Sequence, residues 1–223
     1  MKLLKISLLW VPLILCSTGL LSVNYPKQKT LAANGILLVY TGSMSGAVNI
    51  EIGIHLEIDS SVGVRYEVVF ERGSNVLSHI AVFYKYSDPN ETIYYNFLTH
   101  QSHANKCCGS ASDGSNVTVL GQDVIGSYSC THLQGVTSSA NDAEDYWVSP
   151  QVPGYTRLVN ILNNLGVSEM AFNGTIFQWG GLVKLKHRFT DPKSGKYQNA
   201  DINLSEVNST MNFPATDFDV PSN

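Results

Sequence analysis

The residues of this sequence best suited to chemistry are three short groups of histidine and cysteine. The groups are His100-x-x-His103, Cys107-Cys108 and Cys130-x-His132. Imidazole and thiolate are ligands that zinc and copper accept, so a metal-binding protein is one hypothesis. Metal sites built from paired cysteines usually have Cys-x-x-Cys spacing, which is absent here. We therefore expect no metal and no cofactor, and keep the His/Cys metal site as the weakest alternative.

The same cysteines suit a disulfide. Adjacent cysteines such as Cys107 and Cys108 rarely bond to each other, because Cα atoms about 3.8 Å apart are closer than disulfide geometry prefers. Cys130 therefore pairs with one of the two and leaves the other thiol over. The polar loop around Cys108 can run beside the strand around Cys130, and we predict the Cys108–Cys130 bond in preference to Cys107–Cys130. It would close a loop of about 22 residues and contribute roughly 3 kcal/mol.

Other catalytic arrangements are missing from the sequence. There is no Gly-x-Ser-x-Gly nucleophile turn and no phosphate-binding glycine loop. Glu51 and Glu57 share one face of a predicted strand, but six residues separate them by about 20 Å, which is too far for a catalytic pair. A net charge of -4 and a pI near 5.8 argue against nucleic-acid binding. We expect a protein that is not an enzyme.

The element that must position any site is a long two-stranded ribbon over residues 48–70. Apolar side chains alternate with mainly polar ones along both arms, so each arm has one apolar and one polar face. The apolar set is Val48, Ile50, Ile52, Ile54, Leu56, Ile58, Val62, Val64, Tyr66, Val68 and Phe70. We expect the polar set, with Glu57 in it, to face water.

Hairpins continue on both sides of this ribbon, and only one stretch has a helical period. Further strands are predicted over 36–41, 76–86, 92–99, 117–120, 127–133, 144–149, 183–189 and 197–207, and residues 100–116 are predicted to be a polar loop. Leu158, Ile161, Leu162 and Leu165 fall at i, i+3, i+4 and i+7, one stripe of a short helix. The sequence predicts a mainly β fold, an antiparallel sheet with one main helix.

The N-terminus predicts export. Lys2 and Lys5 precede an apolar run from Ile6 to Leu15 that is too short to span a membrane, as in a signal peptide covering 1–19. Residues 20–34 form a short tether, and 35–221 form one domain with no further membrane span. We expect a periplasmic or extracellular protein. Lipid anchoring at Cys16 is not expected, because Leu15 is bulky where a lipobox has a small residue.

The second half of the chain resembles a group of exported bacterial domains of unknown function. The resemblance rests on the strand Gly126-Ser127-Tyr128-Ser129-Cys130, the strand Asp145-Tyr146-Trp147-Val148, Pro153 with the helix, and the ending Phe218-Asp219-Val220-Pro221. That group looks like the superfamily of LolA/LolB lipoprotein carriers. The resemblance implies a curved half-barrel that cups a helix around a hydrophobic cavity. The His/Cys loop is a departure from the group.

These observations favour a carrier of a lipid or other lipophilic group, bound between sheet and helix. Long one-sided strands covered by one short helix leave an apolar groove. The expected lining is Ile50, Ile52, Ile54, Leu56, Tyr66, Val68, Tyr84, Tyr95, Leu158, Ile161 and Leu162. The alternative is a structural or protein-interaction module of the cell envelope, with a filled core and an envelope protein as partner.

Overall fold

The computed structural model describes residues 35–46, 49–88, 91–106, 117–135, 142–155, 176, 178–191 and 194–221. The predicted signal peptide, the tether and the helix stripe of Leu158, Ile161 and Leu162 lie outside these residues, as do Cys107 and Cys108. Among the described residues, no helix is long and apolar enough to cross a membrane.

Eleven described strands form a single antiparallel sheet, which confirms the mainly β prediction. In sheet order they run β6-β5-β4-β3-β2-β1-β11-β10-β9-β8-β7. Their bounds are β1 Gly35–Ser45, β2 Ile50–Asp59, β3 Gly63–Arg72, β4 Asn75–Lys85, β5 Glu91–Asn96, β6 Gln101–Lys106, β7 Val117–Ile125, β8 Tyr128–Gly135, β9 Ala143–Ser149, β10 Gly181–Thr190 and β11 Tyr197–Met211.

The sheet consists of two meanders joined at its centre. β1 to β6 follow one another outward in one direction, β7 to β11 return from the far edge, and β11 pairs with β1. Short polar turns set the hairpins. The Asp59 carboxylate accepts a bond from the Ser61 backbone N–H at 2.8 Å between β2 and β3, and the Asp191 side chain accepts one from Ser194 between β10 and β11.

This topology requires the sheet to curve. β6 and β7 are its two edges, yet only residues 107–116 connect them. Ten strand spacings of a flat sheet amount to about 48 Å. A chain running from Lys106 to Val117 reaches at most about 40 Å when fully extended. The two edges are therefore closer together than in a flat sheet, and the sheet is open and curved.

One face of the sheet, which we call the buried face, carries the main hydrophobic core. The register puts Ile54 opposite Val68 and Leu56 opposite Tyr66, as the alternation of the ribbon predicts. Its buried members on β1 to β4 are Ile36, Leu38, Tyr40, Met44, Ile50, Ile52, Ile54, Leu56, Ile58, Val64, Tyr66, Val68, Phe70, Val82 and Tyr84. On β9 to β11 the core continues through Tyr146, Val148, Leu182, Leu185, Ala200 and Ile202.

The opposite face of the sheet is partly covered, which corrects the prediction that its polar side chains face water. A 3-10 helix, Ala215–Phe218, contacts β3 and β4 on this side, and Val220 packs on Ala81, Phe83 and Tyr95. Glu57 is only 2% exposed and lies 3.6 Å from the Arg65 guanidinium. Alternation identifies the side of the sheet on which Glu57 lies, but not how deeply that side is buried.

The predicted loop 100–116 is also corrected in its first part, because Gln101–Lys106 form strand β6 and pair with β5. The side chains of residues 101–104 are exposed. The polar composition that favoured a loop belongs to an edge strand that faces water. Such a strand has no apolar face, so the sequence pattern does not reveal it.

Gly154 lies where the chain crosses the buried face. Its φ is +78°, and an added Cβ would lie 2.5 Å from Ile36 Cδ1. We expect Gly154→Ala to lower the free energy of unfolding by about 2 kcal/mol, from backbone strain and the forced shift of Ile36. The matched control is Gly73→Ala, with φ +60° but open space around it, which should cost about 1 kcal/mol. Urea unfolding of both variants checks this, and equal losses would contradict the close approach.

Candidate ligand-binding face

Seven of the eleven predicted lining residues come together on the buried face. They are Ile50, Ile52, Ile54, Leu56, Tyr66, Val68 and Tyr84, each at most 4% exposed and all in one cluster. The cross-strand pairs Leu56–Tyr66 and Tyr66–Val82 extend this apolar surface over β2, β3 and β4. Because side chains alternate along each strand, the pairing of β2 with β3 and of β3 with β4 puts all seven side chains on the same face.

Tyr95 lies on the opposite face, which corrects its place in the predicted lining. It pairs with Ala81, and both belong to the small second cluster with Phe83. Its neighbour Tyr94 pairs with Val82 and packs against the main core instead. Adjacent residues of a strand point to opposite sides, so a run of two tyrosines cannot line one cavity. Leu158, Ile161 and Leu162 lie outside the described residues, and their role stays a prediction.

Strand β1 supplies lining residues that the sequence did not single out. Leu38, Tyr40 and Met44 are each at most 2% exposed and lie between β2 and β11, at the centre of the sheet. The Tyr40 hydroxyl donates to the Leu182 carbonyl oxygen at 3.2 Å. Burial, with Tyr66 and Tyr128 nearby, raises the pKa of Tyr40 far above its usual value, so the hydroxyl stays neutral. The apolar run from Ile36 to Tyr40 was the available signal, but an unbroken run does not show which of its side chains face the core.

A polar corner, made by Glu144, Tyr146 and His187, interrupts the apolar surface near the Met44 end of the sheet. The Tyr146 hydroxyl donates to the Glu144 carboxylate, and His187 Nε2 lies 3.6 Å from Glu144 Oε1. Burial and the negative charge of Glu144 raise the pKa of Tyr146. Burial lowers the pKa of His187. The negative charges of Glu144 and Asp142 raise it, but by less than burial lowers it. The corner thus provides hydrogen-bonding groups beside an otherwise apolar surface.

The neutral state of His187 predicts a pH dependence of stability. Its folded-state pKa is below the unfolded value of 6.5, so the unfolded chain binds the proton more readily. The stability that neutral His187 contributes to the fold is fully present above pH 6.5. It is lost as the pH falls through this value toward the pKa of His187 in the folded protein. We expect the urea midpoint to fall between pH 7.5 and 5.5, and His187→Asn to reduce that fall. Exposed His100→Asn is the control; an unchanged pH profile in His187→Asn would contradict the assignment.

The His/Cys set is separated in the part of the chain that can be described. His132 stacks on Trp147 with ring centroids 4.3 Å apart and lies 2.9 Å from Asp145 Oδ1. His100 lies beside β6, near the other edge of the sheet, with Nδ1 3.3 Å from the Tyr95 hydroxyl. Within the described residues, no group of three His, Cys, Asp or Glu side chains could hold a metal.

Cys130 is fully buried, and burial raises the pKa of its thiol. Among the described residues it forms no disulfide. Both predicted partners, Cys107 and Cys108, lie outside those residues, so the Cys108–Cys130 bond stays a prediction.

Comparison with known families decides the classification. The family described as "Domain of unknown function (DUF4412)" matches residues 84–223, which are 140 of the 223 residues. The chain belongs to this family. The predicted resemblance to a group of domains of unknown function is thereby confirmed. The match covers β5 to β11 with the C-terminal 3-10 helix, and it begins at Tyr84 near the end of β4. No curated protein matches the chain.

Several solved structures match most of this chain at low sequence identity. An outer membrane lipoprotein-sorting protein domain from Vibrio parahaemolyticus has 8% identity and a TM-score of 0.34, covering 83% of this chain and 89% of that one. A LolA superfamily protein from Nitrosomonas europaea has 11% identity and a TM-score of 0.31, covering 84% and 90%. PNGF-II has 9% identity and a TM-score of 0.43, covering 81% of this chain but only 29% of its own. At these scores the likenesses support no statement about ligands.

Proposed function

We propose that this protein is a carrier that binds a lipid or another lipophilic group on the buried face of its sheet. The observation that carries the proposal is the continuous apolar surface running from β4 across β1 to β9. Burial raises the pKa of the Tyr40 and Tyr146 hydroxyls on it, and the only described acid–histidine contact on it is the polar corner. Such a surface suits an uncharged chain with a small polar end.

The length of chain available to cover this face supports the proposal. Val152 and Ile176 are fully buried in the main core, so the chain meets the buried face on both sides of residues 156–175. A helix formed by these 20 residues would be at most about 30 Å long and 10 Å wide, roughly 300 Å² in projection. Eleven strands about 48 Å across and 20 Å long present roughly 1,000 Å². We infer that the helix stripe of Leu158, Ile161 and Leu162 covers one part of the face, and that a ligand reaches another part by displacing the protein atoms that keep its side chains buried.

A second candidate function is a protein-interaction module of the envelope with a filled core. It is favoured by the burial of the predicted lining, because protein atoms alone leave the seven residues at most 4% exposed. In the carrier, the protein atoms that cover these side chains must move to admit a ligand, and the side chains then line the ligand-binding site. In the module these side chains stay packed, and the partner binds at a sheet edge.

The proposal also states where the protein acts and that it is a binding protein, not an enzyme. The basic and apolar start of the sequence supports export to the periplasm or the exterior, where a carrier of lipophilic groups acts. We infer a protein that binds without catalysing a reaction and that uses no cofactor.

Binding depends on burial of apolar area, so the affinity for the ligand should be insensitive to salt.

The test is native mass spectrometry and lipid extraction of protein purified from its own host. The carrier should retain a lipophilic molecule, whereas a filled core should carry none. Val68→Phe narrows the buried face, and Val69→Phe adds the same bulk to the opposite face, since Val68 pairs with Ile54 and Val69 with Gly53. We expect loss of ligand only in Val68→Phe, with thermal unfolding confirming that both variants fold. Equal ligand content in the two variants, or none in the unmodified protein, would reject the carrier.

A further inference from the structure

The polar corner of the buried face continues onto β11 through Gln198. Gln198 pairs with Phe189 on β10, and the Phe189 and His187 ring centroids are 5.0 Å apart. His187 in turn pairs with Glu144 on β9. Gln198 and Ala200 are both buried and lie two positions apart on β11, so they share the buried face. The corner therefore spans three adjacent strands.

The side-chain oxygen of Gln198 is a buried hydrogen-bond acceptor that lacks a donor. Gln198 is 5% exposed, and its Oε1 has no hydrogen-bond partner in the part of the chain that the structure describes. The Gly46 backbone closes one side of this oxygen, since a Cβ added to Gly46 would lie 2.7 Å from it. Most buried polar atoms are hydrogen-bonded, and leaving one without a partner costs free energy. A ligand that donates a hydrogen to Oε1 removes this cost.

The corner lies at the margin of the buried face, where exposure to solvent begins. The Glu144 side chain is 21% exposed and Phe189 is half-buried, whereas Tyr146, further along β9, is 1% exposed. A polar group can therefore stay at the margin while an apolar chain extends inward. Gln198 itself is covered, so a ligand reaches it by the displacement of covering atoms that the carrier requires.

The charges around the corner are mainly negative. The negative charges of Glu144 and Asp142 act on His187. The cations of β10 alternate with Leu185 and His187 and so lie on the other face; they are Lys184, Lys186 and Arg188. In the turn before β11, the exposed Lys196 is balanced by Asp191 of the same turn. An anionic group is therefore repelled at this end of the face.

Building on the proposed carrier function, we propose that the ligand ends in an uncharged hydrogen-bond donor, such as a hydroxyl group, that binds Gln198 Oε1. The apolar chain of this ligand packs on the core side chains inward of the corner. A carboxylate or phosphodiester end has no hydrogen to donate to Oε1, and Glu144 and Asp142 repel it. An ammonium end is disfavoured by the cost of burying its charge beside Gln198.

The experiment compares decanol with decyl methyl ether, which share the chain and the oxygen but differ in whether that oxygen carries a hydrogen. Calorimetric titration of the full chain at neutral pH measures both affinities. We expect decanol to bind about tenfold more tightly, the factor that one buried hydrogen bond supplies. Decanoate should bind more weakly than decanol at the same pH. These comparisons use the unmodified protein, so they do not depend on whether a variant folds.

Gln198→Met removes the acceptor and keeps a similar side-chain volume. It should lower the affinity for decanol to that for the ether and leave the ether unchanged. Gln134→Met, at an exposed position of β8, is the matched control and should change neither affinity, with thermal unfolding confirming that both variants fold. The inference is overturned, and the carrier is not, if decanol and the ether bind equally, if decanoate binds as tightly as decanol, or if Gln198→Met keeps the preference. Failure of every probe to bind would overturn both.

Discussion

Replacing Ile54 with aspartate is expected to unfold the domain or to lower its free energy of unfolding by at least about 4 kcal/mol. Ile54 is 1% exposed and lies in the middle of the buried face, paired with Tyr40 on β1 and Val68 on β3. An aspartate there is surrounded by apolar side chains with no cation to pair with it, which is among the most costly single changes to a core. Urea unfolding followed by circular dichroism measures the loss.

The matched control is Glu51→Gln on the same strand. Glu51 lies on the opposite face and is exposed, so its replacement should change stability by no more than about 0.5 kcal/mol. A register shifted by one residue exchanges the two faces. Comparable losses in Ile54→Asp and Glu51→Gln would therefore contradict the assigned register.

The second large effect is expected at Glu57, where Glu57→Lys should cost about 3 kcal/mol or more. Glu57 is 2% exposed, and its carboxylate lies 3.6 Å from the Arg65 guanidinium, which also bonds the Glu67 carboxylate. A lysine replaces this attraction with repulsion between two partly buried cations, and breaking a buried ion pair from one side is strongly destabilising. Chemical unfolding at neutral pH checks the value.

Glu57→Gln separates charge from packing at the same position. It keeps the shape and the hydrogen-bonding capacity and introduces no repulsion, so it should cost much less than Glu57→Lys. The sequence pattern, which places Glu57 in water, predicts almost no effect from either change. A silent Glu57→Lys would contradict the burial of Glu57 and its ion pair with Arg65.

The predictions that held depend on local periodicity. Alternation along residues 48–70 gave the register of β2 and β3, because each side chain's face is fixed by its position in the strand. On β10 the same rule puts Leu185 and His187 on one face, and both are at most 3% exposed. The hairpin turns at Asp191 and Asp59 could be predicted because each turn is stabilised by its own side chain.

What could not be predicted depends on contacts between distant segments. Tyr95 was grouped with Tyr84 by residue type, whereas the pairing of β5 with β4 puts them on different faces. The cover over β3 and β4 on the opposite face comes from the 3-10 helix Ala215–Phe218 and from Val220, more than 120 positions away from these strands. No short-range pattern encodes where a polar C-terminal segment docks.

The most direct test of the central claim is a nuclear Overhauser experiment on protein labelled at the isoleucine δ1 methyl groups, with dodecanol, an uncharged chain with a small polar end, as the probe. Ile52 and Ile54 report on the buried face, and Ile93, which pairs with Phe83, reports on the opposite face. We expect contacts between the alkyl chain and the Ile52 and Ile54 methyls, with none at Ile93. Contacts at Ile93 alone, or an unchanged spectrum at saturating dodecanol, would contradict a lipophilic site on the buried face.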